Sequence, residues 1–72
     1  PKSAQIYYNR GLSKYKIDDI QGAIKDYNKT IEFSPKHISA YLNRGNLRAK
    51  IGDNLGSIQD YNKILTIDPK YA

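Results

Sequence analysis

The sequence predicts an all-α protein of four antiparallel helices arranged as two hairpins. Three observations carry that expectation: the chain repeats itself, without a gap, at a spacing of 34 residues; each unit holds two runs of apolar residues at three-four spacing; and turn and cap residues separate the runs at matched places. Shifted by 34 against itself, the sequence offers 38 pairs, and 17 of them are identical. They include Asn9-Arg10-Gly11 with Asn43-Arg44-Gly45, and Asp26-Tyr27-Asn28-Lys29 with Asp60-Tyr61-Asn62-Lys63. Chance would give a small fraction of that. No strand pattern competes.

The first helix is expected over 4–17, where Ala4, Tyr7, Tyr8, Gly11, Leu12 and Tyr15 share a face. Ile20, Ala23, Ile24, Tyr27 and Ile31 define a second over 20–34. Ile38, Tyr41, Leu42, Gly45 and Ala49 define a third over 38–51, and Ser57, Ile58, Tyr61, Ile64 and Leu65 a fourth over 54–68. Between the helices of each pair lie Asp18-Asp19 and Gly52-Asp53. Gly52 suits the left-handed residue that closes a helix, and Asp18 tolerates that conformation less comfortably. Asp19 and Asp53 can each accept from free N–H groups at a helix start. Pro35 and Pro69 end the second helices, because the residue before a proline is driven out of the helical region. A glycine within a helix costs about 0.5–1 kcal/mol relative to alanine. The return of Gly11 as Gly45, with small Ala23 and Ser57 also matched, therefore points to a close approach of two helices.

Composition narrows the function. Seventy-two residues fit one small domain over 1–72, with repeats at approximately 4–37 and 38–71. There is no Cys, so no disulfide and no thiolate metal site, the single His37 cannot assemble a metal site alone, and no cofactor is expected. Mean hydropathy is −0.74, and no apolar run approaches the length of a membrane span. No leader is visible, and with the absence of Cys this is compatible with the cytoplasm. The net charge of +5 suits an acidic protein surface, an acidic peptide or nucleic acid.

Tyr7, Gly11, Ala23, Tyr27 and Pro35, followed by Tyr41, Gly45, Ser57, Tyr61 and Pro69, resemble the tetratricopeptide repeat family in residue type and order. The likeness covers residues 3–71. Arg10 and Arg44 replace that family's Leu, Lys14 and Arg48 an aromatic, Thr30 and Ile64 an Ala, and Ser57 the first Ala of the second unit. The resemblance implies a right-handed α-solenoid whose first helices line a concave groove and whose second helices form its back. It further implies a protein-binding scaffold without catalysis, and a chain beginning mid-motif at Pro1-Lys2 suggests a piece of a longer array.

No catalytic constellation is present. Asp18 and Asp19 fit a turn and cap better than an acid/base pair, and no glycine-rich phosphate loop occurs. The first-helix segments carry Arg10, Lys14, Lys16, Arg44, Arg48 and Lys50 and no acid. Asp26 and Asp60 recur in step with Arg10 and Arg44, which predicts an ion pair inside each hairpin. On the implied groove stand Tyr8, Asn9, Leu12, Lys16, Asn43, Asn46 and Lys50, an expected site for an extended, acidic peptide. Asn9 and Asn43 match one Asn of the carboxylate clamp that some family members use, but Tyr8 and Leu42 stand where its Lys would be. Nucleic-acid binding is the alternative from charge and Tyr content, although related RNA-reading repeats run at 35 residues and seven acids interrupt the positives here. A further expectation is end-to-end self-association. Ile58, Tyr61, Ile64 and Leu65 would lie uncovered on the last helix, and Pro1-Lys2-Ser3-Ala4 resembles Pro69-Lys70-Tyr71-Ala72.

Overall fold

The structure is a computed structural model that describes residues 2–71, with side chains for 3–71. Pro1 and Ala72, which belong to the two similar terminal segments, lie outside the described residues. Four helices follow in order: α1 (Lys2–Lys16), α2 (Ile20–Phe33), α3 (Ile38–Lys50) and α4 (Asn54–Ile67). Each boundary falls within two residues of its sequence expectation, and the described residues contain no strand. The architecture is all-α. α2 packs against both α1 and α3, and α3 packs against α4.

The two hairpin turns are built alike. Asp18 and Gly52 hold φ of 65° and 88° and are the two described residues in the left-handed region. The next amide then turns back: Asp19 N–H donates to Lys14 O and Asp53 N–H to Arg48 O, both at 2.8 Å. Asp19 Oδ1 caps α2 by accepting from Gly22 N–H at 3.1 Å, and Asp53 Oδ1 caps α4 from Gly56 N–H at 2.9 Å. The second helices end on Ser34 and Asp68 at φ −139° and −138°, the extended backbone that Pro35 and Pro69 impose on the residue before them. Tyr41 Oη donates to Pro35 O at 2.9 Å and ties the loop between hairpins to α3.

The core is small. Ala23 and Tyr27 of α2 meet Ala40 and Leu47 of α3, with Tyr8, Tyr15, Ile20, Ile24 and Ile31 packed around them. The close approach at the matched glycines involves a ring. A Cβ at Gly11 would stand 2.7 Å from Tyr27 Cε1, and one at Gly45 would stand 2.9 Å from Tyr61 Cε1. Each glycine therefore vacates the room that the next helix's tyrosine fills. The expectation for α4 needs one correction: Ile64 is buried, because it lies on the α4 side facing α3 with Ser57 and Asp60. Ile58 and Leu65 are exposed as expected, joined by Leu55, while Tyr61 is half-buried.

Candidate functional site

A buried carboxylate must be neutralised, since an unpaired buried charge is costly. Each hairpin solves this in the same way. Arg10 Nε and Nη2 donate to the two carboxylate oxygens of Asp26 at 2.9 and 2.8 Å. Arg44 does the same with Asp60 at 3.0 and 2.6 Å. Both aspartates are buried, and each gains a second cation one helical turn along: Lys14 lies 3.2 Å from Asp26, and Arg48 3.2 Å from Asp60. The guanidinium of Arg10 lies over the Tyr7 ring and that of Arg44 over Tyr41, at 5.4 and 5.6 Å from the centroids. Arginine thus fits where the family keeps leucine by lying on one aromatic and gripping one carboxylate. Hydrogen bonding from Arg10 holds the Asp26 carboxyl below its usual range, and the same bond raises Arg10.

A second polar cluster joins the hairpins. Asn43 Nδ2 donates to Tyr8 Oη and Tyr27 Oη, both at 3.3 Å, and so links α3 to α1 and α2. Burial pushes the Tyr27 hydroxyl up to about 12, so it stays a neutral partner for that amide. Arg44 Nη1 donates to Asn28 Oδ1 at 2.9 Å, extending the second hairpin's ion pair to the first hairpin. His37 Nδ1 accepts from Ala40 N–H at 3.2 Å and caps α3, and its ring packs 4.6 Å from that of Tyr8. Its role is therefore structural. Residues 4–37 match a tetratricopeptide repeat model, and residues 38–71 match a second model of that description. The chain belongs to the tetratricopeptide repeat family. No curated protein matches it.

Tetratricopeptide repeats generally mediate protein–protein interaction and are typically non-catalytic scaffold modules. The residues expected to line a groove lie on α1 and α3. Asn9, Lys16, Asn46 and Lys50 are exposed, and Tyr8, Leu12 and Asn43 are half-buried. Several are already engaged. Asn43 serves the tyrosine cluster, Asn46 Oδ1 accepts from Tyr61 Oη, and Asn9 Oδ1 accepts from Gln5 at 3.1 Å. Lys50 Nζ donates to Asp18 Oδ1 at 3.1 Å, but both groups are exposed, so the pair holds them weakly.

The ion pairs expected inside each hairpin are present, and Lys14 and Arg48 join them. Of the cations on α1 and α3, Arg10, Lys14, Arg44 and Arg48 turn toward the aspartates of the second helices. Lys16 has no ion-pair partner among the described residues, and Lys50 has only its exposed one. The acid-free segments thus supply the hairpins with internal counter-charges first and the groove second. A shallow concavity lies elsewhere, between Arg10 and the α2 residues Lys25, Asp26, Asn28, Lys29 and Glu32, where mixed charges leave no dominant sign. No group of three His, Asp or Glu residues among the described ones could hold a metal ion, and no described helix is long and apolar enough to cross a membrane.

Proposed function

We propose that the chain is a protein-interaction module whose α1–α3 face receives an extended peptide or partner segment with acidic character. The observation that supports this most is the exposure of Lys16 and Lys50 at matched positions of two family repeats, with Asn9 and Asn46 also exposed on the same helices. Amide side chains donate to and accept from an extended backbone, and Lys16 and Lys50 supply a positive end. Tyr8 and Leu12 offer apolar area between the amides. In this reading binding requires no chemistry beyond recognition, and the aspartate-gripped arginines hold the groove's walls without touching the ligand.

The reading is tested with a library of acidic and neutral peptides carried on fluorescent reporters, measured against the 72-residue chain at rising salt. Acidic members should bind best, and their affinity should fall as screening grows. The variant Lys16→Glu with Lys50→Glu should lose most of that binding while its helix content is unchanged. Unchanged affinity in this variant would remove the groove from the α1–α3 face. Preference for oligonucleotides over every peptide would replace the reading with nucleic-acid binding.

A further inference from the structure

We propose that the tips of the two hairpins form an apolar ledge beside Lys16 and Lys50, and that it takes a large apolar side chain of the segment bound there. This assignment, which rests on the peptide-binding reading above, narrows the ligand. It is an extended segment with an acidic residue and a large apolar residue two positions apart.

Ile17 follows Lys16 at the end of α1, and Ile51 follows Lys50 at the end of α3. The two isoleucines are 75% and 46% exposed, and Leu55, in the first turn of α4, is 77% exposed. Lys16 and Lys50 are exposed as well. Lys50 Nζ reaches Asp18 Oδ1 at 3.1 Å, so the two tips adjoin and form one surface. Neighbouring hairpins do not decide this exposure. Ile17 is open although a hairpin packs after its own, and Ile51 is open although one packs before. Gln21, the counterpart of Leu55, is likewise exposed although α3 packs on α2. None of the three aliphatic residues is among those packed on the core. Aliphatic area left in water adds nothing to the stability of the chain itself, and apolar area rimmed by charge marks a contact surface.

Charge selects the occupant. The tips read Lys16-Ile17-Asp18-Asp19 and Lys50-Ile51-Gly52-Asp53. The lysines close the first helices, while Asp19 and Asp53 cap the second ones. In sequence, each isoleucine therefore stands between a cation on the groove helix and a carboxylate on the other helix. A narrow segment can set carboxylates on Lys16 and Lys50 and an apolar side chain on the ledge, clear of Asp19 and Asp53. Side chains two positions apart share one side of an extended segment, which gives the spacing of the motif. An anionic bilayer spreads its charge over a plane and would meet the exposed Asp18, Asp19 and Asp53 together with the lysines. A second copy would add its own net charge of +5 to this one, whereas an acidic segment offsets it.

Fluorescence titration of the 72-residue chain with two sets of peptides of equal negative charge tests this. One set carries Leu or Phe two positions from a Glu, and the other carries Ser there. The Leu and Phe peptides should bind about tenfold or more tighter, as expected for burial of one large apolar side chain. Ile17→Ser and Leu55→Gln, made singly, should each remove much of that preference and leave the affinity of the Ser peptides unchanged. Leu55→Gln gives α4 the residue that α2 carries at this place, and both positions are exposed, so helical circular dichroism should match the parent. Lys16→Glu with Lys50→Glu should instead weaken both sets. Equal binding of the two sets, or a preference that neither single variant reduces, overturns the ledge and leaves the groove standing. No binding of either set overturns both. Tighter binding to vesicles of anionic lipid than to any peptide overturns the proposal in favour of a membrane surface. Mass that rises with concentration in sedimentation, and no longer does so in Ile17→Ser, overturns it in favour of a second copy.

Discussion

Gly11→Ala separates two opposing effects whose sizes can be set from the structure. Alanine in the interior of α1 gains about 0.5–1 kcal/mol of helix stability over glycine. Against this, the new methyl would sit 2.7 Å from Tyr27 Cε1 and 3.0 Å from Cδ1. Tyr27 has little freedom to retreat: it is fully buried, packs on Ala23, Ala40 and Leu47, and its hydroxyl accepts from Asn43. Overpacking of that kind costs about 1–3 kcal/mol, and the rigid surroundings favour the upper part of the range. The net expectation is destabilisation by about 1–2 kcal/mol. Gly45→Ala meets the Tyr61 ring at 2.9 Å, but Tyr61 is half-buried and can swing outward, so its net cost should be smaller. Urea denaturation, compared at constant slope, gives both differences directly. Stabilisation of Gly11→Ala, or a Gly45→Ala penalty as large as that of Gly11→Ala, would refute the reasoning that Tyr27 cannot move.

Two further outcomes follow from the turns and the buried carboxylates. Gly52→Ala should cost about 1 kcal/mol because φ is 88° there, whereas Asp18→Gly should be neutral or slightly stabilising, since it relieves a left-handed aspartate and gives up only an exposed pair with Lys50; thermal melts of the two variants check the opposite signs. The Asp26 carboxyl is depressed by Arg10, so its stabilisation is fully present above the unfolded value of about 4 and is lost as pH falls through the lower folded value. Denaturant midpoints measured from neutral to acid pH should fall in that window and fall less steeply in Asp26→Asn; parallel profiles would count against this linkage.

Much of this fold is legible in the residues because each signal occurs twice. One Arg followed sixteen positions later by one Asp is weak evidence for contact, but Arg10/Asp26 and Arg44/Asp60 together fix the face on which both helices of a hairpin meet. The caps at Asp19 and Asp53 and the turn at Gly52 follow from local chemistry alone. The second cations, Lys14 and Arg48, are harder to assign, because a long flexible side chain one turn away can reach either solvent or the carboxylate. His37 as a cap for α3 is also hidden by residue type, since histidine is not among the preferred cap residues. The bonds from Asn43 and Arg44 into the first hairpin escape a sequence reading for a different reason. They depend on how far one hairpin rotates over the other, which apolar spacing does not specify.

Arg44 holds Asp60 with two of its nitrogens and Asn28 with the third. One planar group therefore takes part in closing its own hairpin and in docking it on the neighbour. A hairpin whose arginine has lost its aspartate also loses the rigid fork that reaches Asn28, so folding of a unit and its coupling to the adjacent unit rise and fall together. In the language of a linear lattice, the intrinsic and nearest-neighbour terms share an atom group and are not independent. Arg10 has the intrinsic half of this arrangement without the coupling half. The Arg44–Asn28 bond joins α3 to α2 without passing through α1, so this link is kept in a local opening of α1.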